Sequence, residues 1–477
     1  MKTKFEYFIL ALIVIGALAV RLYKIDNPVA DWHSWRQADT ASVTRNLLER
    51  KFNPLYPEYH DVSKIQTGTF NPNGERFVEF PLFNVIHAGV FKVFEGVISF
   101  DAAGRLVAVA ASLASLFFVY LLGKGVIGPA GGLIAAFFYA FIPFNIYFTR
   151  VILPEPLAVA FGVGSIYAFF AYTKNEKTKF LFLSSALFAL GVLTKPPVLF
   201  YGIPIAFLAV RRFGAKEIFK RKAFFLALDV ALIPFFLWRI WVNQFPRGIA
   251  HFLWAFNGDG IRFRPAFVRW MLGERLGVLI LGIWGLAPFF FGIIKVKNKV
   301  PLFLHSFLAG VFLYSVVLAT ANVRHDYYQT FWIPALALVL AQGTIALWKA
   351  EGLNKFFSRL MLFGSVSLMI ALGFFEVKGF YRINDPNIIE AGQAVDKLAP
   401  KDALVVAPYN GDTAFLYQTG RWGWPAIDDS IDNIIGRGAD FYVSTNLNSK
   451  DTLEFKDRFT VIQENDKFII IELKEAK

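Results

Sequence analysis

The chain of 477 residues contains no cysteine and few charged side chains. The lack of cysteine excludes disulfide bonds and thiolate metal sites. Only 18% of the residues are charged, against about 25% in soluble globular proteins. Hydrophobic residues instead make up 56% of the sequence, and the mean hydropathy is +0.48. Because many apolar runs approach the ~20 residues that cross a bilayer, the sequence predicts a polytopic α-helical membrane protein.

We predict about eleven transmembrane helices from these apolar runs. They cover residues 6–22, 103–123, 129–148, 155–173, 179–194, 197–211, 222–242, 277–294, 300–320, 329–348 and 357–376. The net charge of +13 does not indicate a nucleic-acid partner, because Lys and Arg gather in the loops that membrane proteins keep in the cytoplasm. If every span crosses once, the basic loops share the cytoplasmic side with the N-terminus, and the C-terminus lies outside. These loops are 174–179, 211–222, 295–299 and 349–359. The expected location is the cytoplasmic (plasma) membrane of the cell envelope.

This parity requires that residues 81–97 do not cross the bilayer. The segment is short and carries Asn84, His87, Lys92 and Glu95, which favours a juxtamembrane helix lying flat on the outer surface. We expect His87 to face solvent. The chain then has a first external loop at 23–102, within a transmembrane domain at 1–380.

After about residue 385, charges become frequent and apolar runs shorten. Residues 403–407, 441–444, 459–463 and 468–473 read as strands, and 387–398 and 430–436 read as helices. We therefore predict a small extracytoplasmic α/β domain at 385–477, without a phosphate loop or metal-ligand spacing.

Three acidic motifs lie at the edges of apolar runs. The first external loop contains Asp31-Trp-His-Ser-Trp-Arg-Gln-Ala-Asp39, Glu79 precedes Pro81, and Glu155 stands between two prolines. Charge beside a bilayer is costly and is usually kept for function. The predicted topology brings all three to the outer face. Carboxylates beside Arg and Lys suit a reaction on an anionic lipid head group, with an acid as general base and cations stabilising a phosphate leaving group.

The motifs resemble those of the C-type (GT-C) glycosyltransferase superfamily, in the branch of protein O-mannosyltransferases and lipid A aminoarabinose transferases. The resemblance rests on the acidic, aromatic first loop, Glu-Phe-Pro at 79–81, Pro-Glu at 154–155, Leu-Thr-Lys at 193–195 and Tyr-Tyr-Gln at 327–329. It implies the GT-C fold and transfer of a sugar from a polyprenyl-phosphate donor on the outer membrane face.

The resemblance also implies roles for the acids. The family's general base lies in the first external loop, and we favour Asp39, with Asp31 and His33 as alternatives. Glu79 matches a family glutamate that binds metal in the aminoarabinose branch, so it is a candidate ligand of a divalent metal ion. Glu155 matches the second external acid.

The resemblance further implies cationic contacts to the donor phosphate. Lys195 matches the Lys of the family's Leu-Thr-Lys motif, whereas Phe80 stands where the family has another Lys. Other cations must therefore supply that contact. We assign substrate binding to Arg36, Lys195, Arg262, Arg264, His325 and Tyr328.

The leading hypothesis for function is a polyprenyl-phosphate-sugar-dependent glycosyltransferase, acting on a glycan, lipid or protein acceptor, as in protein glycosylation. A second hypothesis is a related polymerase or ligase of lipid-linked glycans, which would use a lipid diphosphate. A third is a transporter or lipid flippase. The third is disfavoured because the sequence shows neither two related halves nor polar groups at mid-membrane.

Overall fold

The computed structural model describes residues 3–294, 301–350 and 352–475. It divides into two compact units. The first comprises Met1–Ile25, Leu106–Arg239 and Phe252–Gly379, and the second Asp26–Arg105, Ile240–His251 and Phe380–Lys477. Lys2 and the predicted basic loop at 295–299 lie outside the described residues.

Among the described residues of the first unit, all regular secondary structure is helical. Its α-helices, with two that extend beyond the unit, are Thr3–Arg21, Phe100–Val126, Pro129–Phe141, Pro143–Phe148, Glu155–Asn175, Thr178–Thr194, Gly202–Phe213, Ala215–Ile218, Lys222–Val242, Trp254–Asn257, Pro265–Val268, Leu286–Ile294, Pro301–Val317, Ala319–Arg324, Ile333–Lys349 and Lys355–Val377. Short 3₁₀ turns cover Pro196–Tyr201, Ile261–Phe263, Asp326–Trp332 and Lys378–Tyr381, and Arg269–Ile280 is a π-helix.

Five helical stretches among the described residues are long and apolar enough to cross a membrane. They are Phe100–Val126, Glu155–Asn175, Lys222–Val242, Asp326–Lys349 and Lys355–Tyr381. The remaining predicted spans coincide with shorter or broken helices. The chain is thus a multi-pass membrane protein, while the number of eleven crossings stays a prediction.

Prolines account for two of the breaks. Ile142 is extended (φ −62°, ψ 117°) directly before Pro143, and Lys195 is extended (φ −155°, ψ 119°) directly before Pro196. A residue that precedes proline is sterically disfavoured in the α conformation. The predicted span 129–148 is therefore broken at Pro143. Pro196 falls between the predicted spans 179–194 and 197–211, so Lys195 stands at the end of a helix.

The second unit combines helices with a five-stranded sheet. Its helices are Ser34–Glu49, Leu82–Val93, Asn387–Leu398, Ala414–Gln418, Ile431–Gly436 and Lys450–Arg458, with a 3₁₀ turn at Pro246–Gly248. The strands are β1 (Leu404–Val406), β2 (Trp422–Trp424), β3 (Ala439–Ser444), β4 (Phe459–Glu464) and β5 (Ile469–Glu475). Their order is β2-β1-β3-β5-β4, with β1 parallel to β2 and β3 and the remaining pairs antiparallel. The predicted small sheet is confirmed.

First-loop residues extend this sheet beyond β2. Asp61 forms an isolated parallel bridge with Gly423, and Val62 N donates to Gly423 O at 2.9 Å. Val62 also joins the apolar core of the sheet, together with Val406 and Trp424. The first loop and the C-terminal segment therefore share one apolar core.

The segment 81–97 contains the helix Leu82–Val93, and its position flat on the outer surface stays a prediction. Its 12 residues span about 18 Å, less than the ~30 Å hydrocarbon core, so it is too short to cross alone. The expectation for His87 was wrong. Its ring is fully buried against Phe100, and Nε2 lies 2.9 Å from the Phe100 carbonyl oxygen. Burial lowers the pKa of His87 to about 4, so the ring is neutral and Nε2–H donates.

Candidate active site

Helix Ser34–Glu49 carries the opening acidic motif of the second unit. His33 precedes it in the left-handed conformation (φ 57°), and the helix then runs through a mostly buried polar sequence. Arg36 and Asp39 are both almost fully buried. Residues three apart on a helix share a face. The helix therefore projects one cation and one carboxylate in the same direction into the unit.

Asp39 accepts three side-chain hydrogen bonds or ion-pair contacts among the described residues. Its Oδ2 is 2.8 Å from Arg76 Nη2 and 3.0 Å from Gln66 Nε2, and its Oδ1 is 2.8 Å from Thr413 Oγ1. Arg76 also donates to Gln66 Oε1 at 2.6 Å. Charge-assisted bonds of this kind are about twice as strong as neutral ones. The carboxylate is therefore held in one orientation.

Glu79 belongs to the same unit and pairs with Arg36, whose Nη2 donates to Glu79 Oε1. A cavity of about 10 Å³ adjoins this pair, the size of about one water molecule. Its lining includes Arg36, Arg76 and Glu79. The two arginines that neutralise Glu79 and Asp39 thus meet at one cavity. The structure brings together three residues that the sequence analysis selected, namely Arg36, Asp39 and Glu79.

The surroundings of Glu79 do not fit a divalent metal ion. The described residues contain no group of three or more His, Cys, Asp or Glu side chains that could hold one. Two guanidinium groups line the cavity beside Glu79 and would repel a cation.

The two alternative bases have different surroundings from Asp39. Asp31 is fully buried, its Oδ1 accepts from Gln37 Nε2 at 2.6 Å, and its Oδ2 is 4.0 Å from Arg105. His33 stacks edge-on against Trp32 at the helix entrance. Asp31 thus contacts Gln37 of the helix that follows it and lies near Arg105.

Two further acids near Asp39 escaped the sequence analysis. Burial raises the pKa of Asp61 to about 7 and that of Asp412 to about 6, and in both cases the Asp39 charge adds to the rise. Burial lowers the pKa of neighbouring His60 well below its usual range. Shifted acids of this kind are frequent at functional sites. Neither Asp61 nor Asp412 stands in a motif that marks it in the sequence. Arg76, the cation that pairs with Asp39, could have been noticed because it is only three residues from Glu79.

In the first unit, two antiparallel helices bring Glu155 and Lys195 together. Glu155 opens helix Glu155–Asn175, and Lys195 follows helix Thr178–Thr194. Because the helices form a hairpin, the start of the first and the end of the second lie at the same end. Lys195 Nζ is 2.9 Å from Glu155 Oε1, and both side chains are buried. The structure therefore joins two predicted site residues in a buried ion pair.

The other predicted substrate contacts also lie in the first unit. Arg262 donates to the carbonyls of Val316 and Val317 at 2.7 and 2.8 Å, at the end of helix Pro301–Val317. Arg264 is exposed. His325 and Tyr328 belong to an aromatic cluster, with ring centroids 6.3 Å apart. Convergence of these residues and Glu155 with Asp39 and Glu79 stays a prediction.

Comparison with known proteins supports the fold. A family model described as dolichyl-phosphate-mannose-protein mannosyltransferase matches residues 79–241. No curated protein matches the sequence. The crystal structure of ArnT from Cupriavidus metallidurans bound to undecaprenyl phosphate is similar, with a TM-score of 0.67 and 11% identity, over 99% of this chain and 98% of that one. The archaeal oligosaccharyltransferase AglB from Archaeoglobus fulgidus, in complex with an inhibitory peptide and a dolichol-phosphate, gives a TM-score of 0.58 at 12% identity, over 92% and 70%. The chain therefore has the fold of the C-type membrane glycosyltransferases.

Proposed function

We propose that this protein transfers a sugar from a polyprenyl-phosphate donor to a hydroxyl of a glycan, lipid or protein acceptor on the extracytoplasmic membrane face. The observation that carries the proposal is the near full-length similarity to an enzyme solved with undecaprenyl phosphate. The similarity to a structure holding a dolichol-phosphate adds a second polyprenyl phosphate. Both ligands are monophosphates, which favours a monophosphate donor.

Asp39 is the proposed general base. The acceptor oxygen attacks the anomeric carbon, the bond from that carbon to the phosphate oxygen breaks, and Asp39 takes the acceptor proton. Polyprenyl phosphate leaves with the electron pair of the broken bond. Asp39 is almost fully buried, so acceptor binding has to open a path to it. Its three donors hold the carboxylate in one orientation before that event.

Lys195, Arg262 and Arg264 are the proposed contacts to the donor phosphate, with Arg36 as a further cation. Negative charge on the phosphate oxygen grows as the sugar leaves, so cations there stabilise the transition state more than the bound donor. In the absence of donor, Glu155 balances the buried charge of Lys195. When the donor binds, the Lys195 ammonium would interact with the phosphate as well as with Glu155.

The test uses the full chain reconstituted in liposomes with synthetic polyprenyl-phosphate sugars and membranes that contain candidate acceptors. We expect transfer of radiolabelled sugar by the wild type. Asp39→Asn should retain donor binding and lose transfer by roughly 10²-fold or more. Asp432→Asn is a matched control, because Asp432 is an exposed acid paired with Arg458.

Two outcomes would contradict the proposal. Binding of polyprenyl diphosphate, with none of the monophosphate, would point to a polymerase or ligase. Full transfer by Asp39→Asn would move the base to Asp31 or His33.

A further inference from the structure

The C-terminal segment reaches the proposed base directly. Within the second unit, Asp412 Oδ2 accepts from Ser34 Oγ at 3.1 Å. The adjacent Thr413 places its Oγ1 3.0 Å from the Trp35 carbonyl oxygen and 2.8 Å from Asp39 Oδ1. Thr413 is 5% exposed. Residues 412–413 therefore form hydrogen bonds with the first turns of the helix that carries Asp39.

The contacts on Asp39 leave one position for a proton. An ionised carboxylate offers about four lone-pair sites. Arg76 and Gln66 occupy the two on Oδ2, and Thr413 occupies one on Oδ1. Among the described residues, one site on Oδ1 is left. The oxygen that would accept the acceptor proton is thus the one that Thr413 contacts.

Thr413 has one hydroxyl hydrogen and two acceptors within reach. The hydrogen prefers an ionised carboxylate over a neutral carbonyl, because charge-assisted bonds are stronger. When Asp39 becomes neutral, that preference ends and the hydrogen can turn to the Trp35 carbonyl. The hydroxyl then presents its lone pairs to the carboxyl group.

We propose that Thr413 is a positioning residue for the Asp39 base, whose hydroxyl follows the protonation state of that carboxylate during sugar transfer. This rests on the proposed function, in which Asp39 takes one proton from the acceptor. No proton is gained or lost by Thr413, since its hydrogen only changes acceptor. The C-terminal segment thereby contributes a side chain to the catalytic centre.

Other titratable and charged groups face Asp39 and would also shape the pH profile of transfer. Arg76 pairs with it directly. Asp61, Asp412 and Tyr59 interact with its charge from the first loop and the C-terminal segment. A change in pH dependence must therefore be assigned by comparing variants at Thr413 alone.

The experiment compares four variants in the reconstituted transfer assay, namely Thr413→Val, Thr413→Ser, Thr419→Val and Asp39→Asn. Thr413→Val removes the hydroxyl and keeps the shape. We expect turnover to fall about tenfold, a part of what general-base catalysis contributes, with donor KM unchanged. Thr413→Val removes a hydrogen-bond donor that favours the ionised Asp39 carboxylate. The acidic limb of the kcat/KM profile should therefore move to higher pH by roughly one unit. Thr413→Ser should restore both quantities, because it keeps the hydroxyl.

Thr419→Val is the matched control. Thr419 is also buried in the C-terminal segment, but its hydroxyl donates to the Leu416 carbonyl at 2.6 Å. It should leave the pH profile in place. A wild-type profile in Thr413→Val, beside an inactive Asp39→Asn, would overturn this inference and leave the proposed function standing. Equal losses in Thr413→Ser and Thr413→Val would also overturn it, because packing would then be the cause. Full activity in Asp39→Asn would overturn both.

Discussion

The buried pair of Glu155 and Lys195 permits a quantitative test of the first unit. Glu155→Gln keeps the shape of the side chain and removes its charge. The Lys195 ammonium then stays buried without its counter-charge. Lys195→Met makes the reverse change, and the double variant removes both charges while retaining similar volumes.

The magnitude follows from the geometry. Two unit charges 2.9 Å apart attract by roughly 6 kcal/mol at an effective dielectric constant of about 20. Desolvation of both groups offsets much of this attraction, so the pair itself adds little. Breaking it is different, because the buried charge that remains loses this counter-charge while its desolvation cost stays. Each single variant should lose about 3–5 kcal/mol of unfolding free energy, and the double variant should recover most of that loss.

The assay is denaturation in mixed micelles, followed by the fluorescence of the 11 tryptophans. The matched control is Glu464→Gln, which breaks the exposed Lys456–Glu464 pair. Exposed pairs contribute about 0–1 kcal/mol, so this variant should stay close to wild type. A double variant whose loss equals the sum of the two single losses would refute the reasoning, since the charges would then not be coupled.

Two further predictions concern a close approach and a buried acid. A Cβ on Gly343 would lie 1.7 Å from the Pro288 carbonyl oxygen, so Gly343→Ala should lower the free energy of unfolding by about 1–3 kcal/mol or more. A Cβ on Gly364 would have nothing within 4 Å, so Gly364→Ala should raise the free energy of unfolding by about 0.5–1 kcal/mol. Equal shifts in the two melting temperatures would contradict this. Since burial raises the pKa of Asp61 to about 7, its stabilising contribution should be complete below about pH 4 and lost as pH rises to about 7, a change on the order of 4 kcal/mol. Asp61→Asn should flatten the dependence of unfolding free energy on pH over this range, and an unchanged slope would refute the assignment.

The sequence predicted those elements whose signal is local. Four strands came from runs rich in β-branched residues, and helix Asn387–Leu398 was predicted with its observed bounds. Strand β2 was missed because Trp-Gly-Trp is too short to show alternation. Its Gly423 is required by a neighbour, since a Cβ there would lie 1.8 Å from the Val405 carbonyl oxygen. Such a contact leaves no pattern along the chain.

The site shows the same division. Arg36, Asp39 and Glu79 stood out because charges beside apolar runs are conspicuous. Thr413 did not, because it meets Asp39 across 374 positions of sequence and is an ordinary residue in its own segment. Polar residues that act through distant partners have to be found in the folded chain.

The pairing of first-loop and C-terminal residues in one sheet has a consequence for biosynthesis. Residues 26–105 emerge early from the ribosome, but their partners at 380–477 follow about 270 residues later, and translation at about 5–20 residues per second needs roughly 15–55 s to reach them. Throughout that interval Val62 lacks the core that covers it in the finished protein. The first loop therefore depends on contacts that are distant in sequence and can pack only after the C-terminal strands have been synthesised. Premature termination before those strands would leave the loop exposed to proteases and chaperones.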